Sequence, residues 1–331
     1  MDPLTHTATG WFLSRAGLRR FTPQATWVLL LAANAPDVDI VTAARGSLSY
    51  LNGHRHLTHA LAAWPVMALL PVLLVGGISR RPIRWRAAYL LSLAGVGSHL
   101  ALDSTNIYGV RLLLPFSARW FHLDITSVVD LWIWAVLLIA LVGPLLARLV
   151  SQEIGAPAAR GIPGRGFAWF ALAFVALYDG GRVILHQRAV ETLEARLYGG
   201  ATPLRVAALP DPFNPFRWRG LVETSGFYAV AACNLLGEFD PEEADVLYKP
   251  EAQPALAAAA RSPAIRDFLR FARWPYWQVL PAPEPEGAWW VEVTDLRFGS
   301  PRQPSFVARA LVSNRLEVLE SSFRFGNARP R

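Results

Sequence analysis

The sequence predicts an α-helical integral membrane bundle, an N-terminal helical hairpin plus four transmembrane helices, carrying a C-terminal extracytoplasmic α+β domain. Three observations predict it. Of 331 residues, 53% are hydrophobic, more than a soluble chain of this size ordinarily carries. Long, nearly uncharged runs recur at Leu57–Ile78, Ala87–Leu102, Leu131–Ala147 and Phe167–Leu185. Each approaches the ~20 residues that cross ~30 Å of hydrocarbon. Beyond about residue 200 the pattern changes to prolines and short aromatic or β-branched runs, as in strands. The bland alternative is four buried helices of a soluble protein. The close succession of the runs, with Trp64, Trp85, Trp132, Trp134 and Trp169 crowding their ends, argues against it.

The elements follow in order. Residues 4–18 and 23–35 read as a helical hairpin, each arm too short to span easily, with Thr22 a cap and Pro23 in a first turn. Residues 40–53, rich in glycine and serine, read as a loop. Four spans follow, with an outer loop at 104–129. Residues 1–198 form the membrane-embedded unit and 199–331 the outer domain. There, Leu221–Leu235, Trp289–Phe298, Phe306–Val312 and Leu316–Phe325 read as strands. Gly299-Ser300-Pro301 and Ser313-Asn314 are turns between the last three, giving an antiparallel meander that covers the mouth of the bundle. Ala255–Ala272 reads as one or two helices broken near Pro263.

Charge sets the orientation. The formal net charge is +7, nearly all arginine, with Lys249 the only lysine. No basic stripe with interleaved aromatics exists, so nucleic acid is not an expected partner. Arg15, Arg19 and Arg20 mark one turn, Arg80, Arg81, Arg84 and Arg86 another, and Arg148, Arg160 and Arg165 a third. The positive-inside rule puts all three in the cytoplasm. Asp2 and His6 stand where a signal peptide would have its basic region, so no cleavable signal is expected. The single cysteine, Cys233, excludes an internal disulfide and a Cys-type zinc site.

Six of the seven histidines fall in the first 130 residues, and most stand at helix ends on the side opposite the arginines. The candidate metal ligands are His6, Asp37, Asp39, His54, His59, His99, Asp103 and Asp130. His99 and Asp103, four apart, share a helix face. Three imidazoles within His54–His59 at the mouth of an apolar helix are hard to explain by packing. Asp130 starts a span, where the alternative to a ligand is an N-cap or a favourable dipole contact. Nitrogen mixed with oxygen suits zinc or manganese more than calcium, and so many ligands exceed what one catalytic zinc needs, so two or more ions are expected. Arg55, Asp39 and Asp130 are the candidate catalytic groups. Arg55 can pair a phosphate in bidentate fashion, and Arg182 with Asp179, near the outer end of the last span, is a second candidate for substrate contact.

These residues carry a resemblance. His6 with Gly10, Pro36-Asp37-Val38-Asp39, His54-Arg55, Thr58-His59, His99-Leu100-Ala101-Leu102-Asp103, Thr105, Tyr108-Gly109, Pro115-Phe116-Ser117 and Asp130 look like the YdjM-like inner-membrane family, called LexA-binding or metal-dependent hydrolases. The resemblance covers residues 4–150 or so. It implies a bacterial inner-membrane hydrolase with the matching His and Asp positions as ligands, its substrate unassigned. The order of His and Asp more distantly resembles zinc-dependent phospholipase C. His56 stands where the family usually has glycine, and Ala60 where serine is common. Asp124 has no firm counterpart and is a reserve ligand.

Two function classes stay open: a metallohydrolase acting on a phosphoester or lipid-like substrate at the membrane surface, and a non-catalytic membrane protein whose cluster is structural and whose outer domain binds a partner. A transporter would need a polar path, and the spans are almost uncharged in their cytoplasmic halves.

Overall fold

The computed structural model describes residues 1–155, 162, 164–300 and 302–326. Arg160 and Pro301, used above, lie outside them.

Helix α1 (Pro3–Ala16) begins where the Asp2 carboxylate accepts from the backbone N–H of Leu4 and Thr5, with Pro3 at the first position, and ends at Gly17, whose φ of 145° a side chain would resist. After a 3₁₀ turn comes α2, only eight residues long (Ala25–Ala32), shorter than the expected arm because Thr22 and Pro23 stay in the turn. It is nonetheless the axis of the bundle. Ala25, Val28, Leu29 and Ala32 have no exposed surface. Two glycines allow this. A methyl group on Gly10 of α1 would stand 2.7 Å from the Leu29 carbonyl oxygen, and one on Gly95 would stand 2.6 Å from the Ala32 side chain. The segment read as a loop at 40–53 is instead a 3₁₀ stretch (Pro36–Arg45) and a short helix α3 (Ser47–Gly53).

Helix α4 (Trp64–Ile78), α5 (Trp85–Thr105), α6 (Leu131–Glu153) and α7 (Arg165–Glu194) fall on the four expected runs. The first run is cut short, since residues 57–59 turn aside as a separate 3₁₀ turn. Among the described residues two helices, α6 and α7, are long and apolar enough to cross a membrane. The number rises to four if two bent pairs are each one crossing: α2 with Pro36–Arg45, bent by 48°, and Ser47–His59 with α4, bent by 89°. Leu70, Leu73, Leu138, Leu145, Phe170 and Leu177 lie exposed along α4, α6 and α7, an apolar surface that hydrocarbon would cover. The arginine turns gather at one end: Arg84 donates to the Phe21 carbonyl, Gln24 reaches Ser79, and Arg165 donates to the Ala16 carbonyl.

The chain then forms a C-terminal α/β region. Strands β1 (Arg205–Pro210), β2 (Arg217–Glu223), β3 (Phe227–Asn234) and β4 (Asp245–Tyr248) make one antiparallel sheet in sequence order. The single run read at 221–235 is therefore two strands, split at Thr224–Gly226. The outer end of α7 packs on this sheet, Ala189 and Leu193 against Ala208, Trp218 and Val222. Helices α8 (Pro254–Ala260) and α9 (Pro263–Leu269) break before Pro263, as expected. Strands β5 (Pro275–Pro281), β6 (Trp289–Asp295), β7 (Gly299–Ser300), β8 (Gln303–Pro304), β9 (Phe306–Val312) and β10 (Val318–Phe325) complete the chain. The second sheet has the antiparallel order β10-β9-β6-β5, and β7 and β8 form a small ribbon beside it.

This region sits on the end of the bundle away from the arginines. Leu51 of α3 and Tyr108 of the loop between α5 and α6 belong to the core formed by α8, α9 and the second sheet. Asn52 donates to Asp267 at 3.0 Å, Trp120 to the Arg270 carbonyl at 3.1 Å and Arg297 to the Ile107 carbonyl at 2.8 Å. Arg273 grips the Asp124 carboxylate through both terminal nitrogens at 3.0 and 2.5 Å, and His122 approaches it at 3.0 Å. Burial alone would raise that carboxyl; Arg273 and His122 more than reverse this and hold it well below the usual range. Asp124, the reserve ligand, is thus the ion-pair partner that ties loop to domain.

Candidate metal centre

The two glycine contacts decide where the first imidazoles meet. His6 lies one turn before Gly10, and His99 one turn after Gly95. With both helices drawn against α2, the rings of His6 and His99 stack at 3.8 Å between centroids. Helix α2 also orients one of them: His99 Nδ1 lies 2.7 Å from the carbonyl oxygen of Ala33, the residue that caps α2. A carbonyl only accepts, so Nδ1 carries the proton and Nε2 presents a lone pair.

The 36–59 segment brings the rest. Asp39 organises it, accepting from His54 Nδ1 at 2.8 Å, the Arg55 backbone N–H at 2.9 Å, Thr58 Oγ1 at 2.8 Å and, at 3.2 Å, facing His59 Nδ1. Arg55 takes a φ of +55°, a left-handed conformation in which its N–H can reach that carboxylate. With Nδ1 of His59 directed to Asp39, its Nε2 is left facing His99 Nε2 at 3.1 Å. Asp37 Oδ1 stands 3.4 Å from His59 Nε2 and 3.6 Å from His99 Nε2, and Asp103 Oδ2 stands 3.4 Å from both.

Four ligand-type atoms therefore converge, and the two imidazole nitrogens that face each other at 3.1 Å need a proton between them unless a cation stands there. Such a set needs a proton or a cation at its centre. One ligand atom each from Asp37, His59, His99 and Asp103 lies within 4.8 Å of the others, the compactness that a single metal ion requires. Asp37, Asp39 and His54 form a second group of the same compactness, so Asp37 is common to both. Of the four atoms of the first group, Asp103 Oδ2 has no hydrogen-bond partner, and neither does either ring nitrogen of the nearby His6. His6 Nε2 is 3.4 Å from Asp103 Oδ1, the oxygen on which the Arg55 guanidinium (2.7 Å) and the Met1 amino group also lie. The residues fit a divalent ion with mixed nitrogen and oxygen ligands; they leave its identity and number open. His59, His99 and Asp103 are sealed from solvent, whereas the Asp37 side chain is 20% exposed, so the centre opens on that side.

The remaining sequence candidates join neither ligand group. Asp130 caps α6, accepting from the N–H of Trp132 and Ile133, and receives the Tyr178 hydroxyl at 3.2 Å. Arg55 points inward: besides Asp103 it holds Asn106 Oδ1 at 3.1 Å and the Gly109 carbonyl at 3.0 Å, and it stacks on Tyr108. Arg182 is buried away from both groups. It donates to the carbonyls of Ile125 and Pro215 and lies over the Trp218 ring, pinning α7 to the outer loop and the first sheet. Asp179, one turn earlier, keeps a buried carboxylate oxygen without a partner. His56 belongs to neither group. Three supports were not singled out from sequence. Thr58 bonds Asp39, Asn106 holds Arg55, and Tyr50 stacks on His54 at 4.7 Å. Only Thr58 had a signal, its place beside His59.

A helical bundle with membrane-length apolar helices, a buried His/Asp cluster at one end and an α/β region over that end together define a membrane protein with a candidate metal centre. The chain belongs to the YdjM inner membrane protein family, whose sequence profile matches residues 1–189. Residues 254–327 match the YfhP C-terminal alpha/beta plait domain. Across 97% of its length the chain is 25% identical to the YfhP protein of Bacillus subtilis (strain 168), described as uncharacterized, and the match covers 94% of that protein. No solved structure matches it. None of these findings supports the likeness to phospholipase C.

Proposed function

We propose that the chain is a membrane-bound, metal-dependent hydrolase whose centre, with its C-terminal domain, faces the extracytoplasmic side and acts on a phosphoester or lipid-like substrate. The observation that carries this reading is the convergence of His59 Nε2, His99 Nε2, Asp37 Oδ1 and Asp103 Oδ2 within the reach of one ion, with Asp37 the solvent-exposed member. A bound divalent ion, zinc or manganese by donor type, supplies Lewis-acid chemistry and an acidified water there. The chain's own residues do the rest. Asp39 fixes the ring orientations of His54 and His59, Ala33 fixes that of His99, and Arg55 holds Asp103 while balancing its charge. Asp37, shared by both ligand groups, is placed to serve two ions. The gathering of the arginine turns at the opposite end supports the orientation.

The test is the metal content of purified wild type beside His99→Ala and Asp103→Ala, followed by an assay against phosphomonoester and phospholipid substrates before and after chelation. Stoichiometric metal in wild type, lost in both variants, with chelator-sensitive hydrolysis, is the expected result. Metal-free wild type, or hydrolysis that survives chelation, overturns the reading. A structural cluster beneath a partner-binding domain is the alternative. It is favoured by the count of four protein ligands in the first group, which would complete a tetrahedral ion and leave no open position. Bound metal with no hydrolysis of any substrate offered would select it.

A further inference from the structure

We propose that the outer end of α7 and the turn after β3 form a binding site for the phosphate of an anionic phospholipid. A cavity of about 480 Å³ lies there, lined by Arg188, Thr192, Arg196, Asn234, Gly237 and Glu238 among others. Arg188 and Thr192 stand one turn apart on α7 and Arg196 lies just past its end, so the helix terminus brings two guanidinium groups to the same opening. Among the described residues, neither guanidinium has an ion-pair or hydrogen-bond partner, and both side chains are exposed. Asn234 adds an amide from the first sheet. Glu238 is the single carboxylate of the lining, so the cavity keeps a net positive charge. Guanidinium groups suit phosphate oxygens because each donates two parallel hydrogen bonds.

The ligand is an amphiphile rather than a free anion because of what lies below. Four residues before Arg188, about 6 Å down the helix, Ile184 is exposed, and Leu177 two turns further down is exposed as well. Between them, Gly180 and Gly181 have nothing within 4 Å of where a side chain would begin. An apolar strip with a shallow notch therefore leads up α7 into a basic cavity. That order matches an acyl chain continued by a phosphate at the membrane boundary. The site shares no residue with the His/Asp cluster and stands whether or not that cluster is catalytic.

Full-length protein, purified in detergent and reconstituted into phosphatidylcholine nanodiscs, is titrated with labelled phosphatidylglycerol. The comparison is wild type, the double variant Arg188→Gln/Arg196→Gln, the charge-keeping Arg188→Lys/Arg196→Lys, and Arg19→Gln/Arg20→Gln at the opposite end. Both positions are exposed, so the variants should fold, and an unchanged thermal midpoint in phosphatidylcholine checks this. We expect the glutamine pair to weaken phosphatidylglycerol binding by roughly tenfold or more, the scale that two basic residues supply against an anionic surface. The lysine pair should keep most of the affinity, and Arg19→Gln/Arg20→Gln should leave this component intact. Equal binding by wild type and the glutamine pair overturns the site. Competition by glycerol phosphate at the same concentrations as the lipid overturns the lipid as its occupant and assigns a soluble phosphate instead.

Discussion

At the scale of single residues, Asp37 and Asp39 look alike in sequence, two carboxylates two positions apart, yet the structure gives them different work. Asp39 accepts three hydrogen bonds from one short segment and faces His59 Nδ1 at 3.2 Å, so its oxygens are largely spent on holding His54, Arg55, Thr58 and His59 in place. Asp37 has no such partners and reaches both ligand groups. Asp39→Asn should therefore behave as loss of an orienting partner, lowering metal affinity by about 10–100-fold while leaving some binding. Asp37→Asn should abolish occupancy of whichever position it serves. Isothermal titration of zinc and manganese into apo-protein separates the two, and equal losses would refute the division. The ligand types were legible because imidazoles and carboxylates clustered at helix ends where packing gives them no reason to be. The division of labour was not, since a tautomer is fixed by what the other ring nitrogen meets. Asp130 and Arg182 show the same limit. Position on a helix put each at the outer end, but only the fold shows Asp130 taken up by α6 and Tyr178, and Arg182 by two carbonyls and Trp218.

At the scale of elements, the site rests on a helix too short to attract notice. Nothing in the eight residues of α2 marks it as the axis of the bundle, because its apolar face meets glycines on its neighbours rather than a patterned partner stripe. Gly95→Ala would drive a methyl group to within 2.6 Å of Ala32. Either α5 shifts outward or Ala32 gives way, at a cost of about 1–3 kcal/mol for such overpacking. Since His99 rides one turn further along α5, its Nε2 would leave the position fixed by the Ala33 carbonyl. The expected outcome is a lower melting temperature together with weaker metal binding. Gly77→Ala, in open space on α4, is the control and should change neither. Loss of stability with unchanged metal affinity would show that the α2–α5 contact supports the fold but not the site. The long apolar helices α6 and α7 could be read directly because burial in hydrocarbon needs a continuous run. The 47–53 helix and the split of the 221–235 run could not, as short elements owe their form to tertiary partners.

At the scale of the whole molecule, the C-terminal region and the outer loops are joined by polar contacts, so their docking should depend on pH. One such joint is the Asp124–Arg273 pair. Its carboxyl is held below the ordinary aspartate value of ~4 when the region is docked, so the contribution of the pair is fully present above that value. It is lost progressively as the pH falls from ~4 toward the lowered value of the docked state. Protonation then leaves the Arg273 guanidinium without its partner, half-buried beside the loop that carries Tyr108 and, through Gly109 and Asn106, the Arg55 contacts. Between pH 7 and 5 the contribution of the Asp124–Arg273 pair should accordingly be constant, and below about 4 it should weaken. Asp124→Asn should show weakened docking already at pH 7 and flatten the acid limb of the profile. Hydrogen exchange at 106–126 and 263–275 reads this directly, in the intact membrane protein and without reference to activity. If the domain covers the end of the bundle where the His/Asp cluster lies, the same loosening should raise exchange in the Leu57–His59 turn. If that turn stays protected while the domain loosens, the outer domain is tethered to the site without covering it, and access to Asp37 is set by the bundle alone.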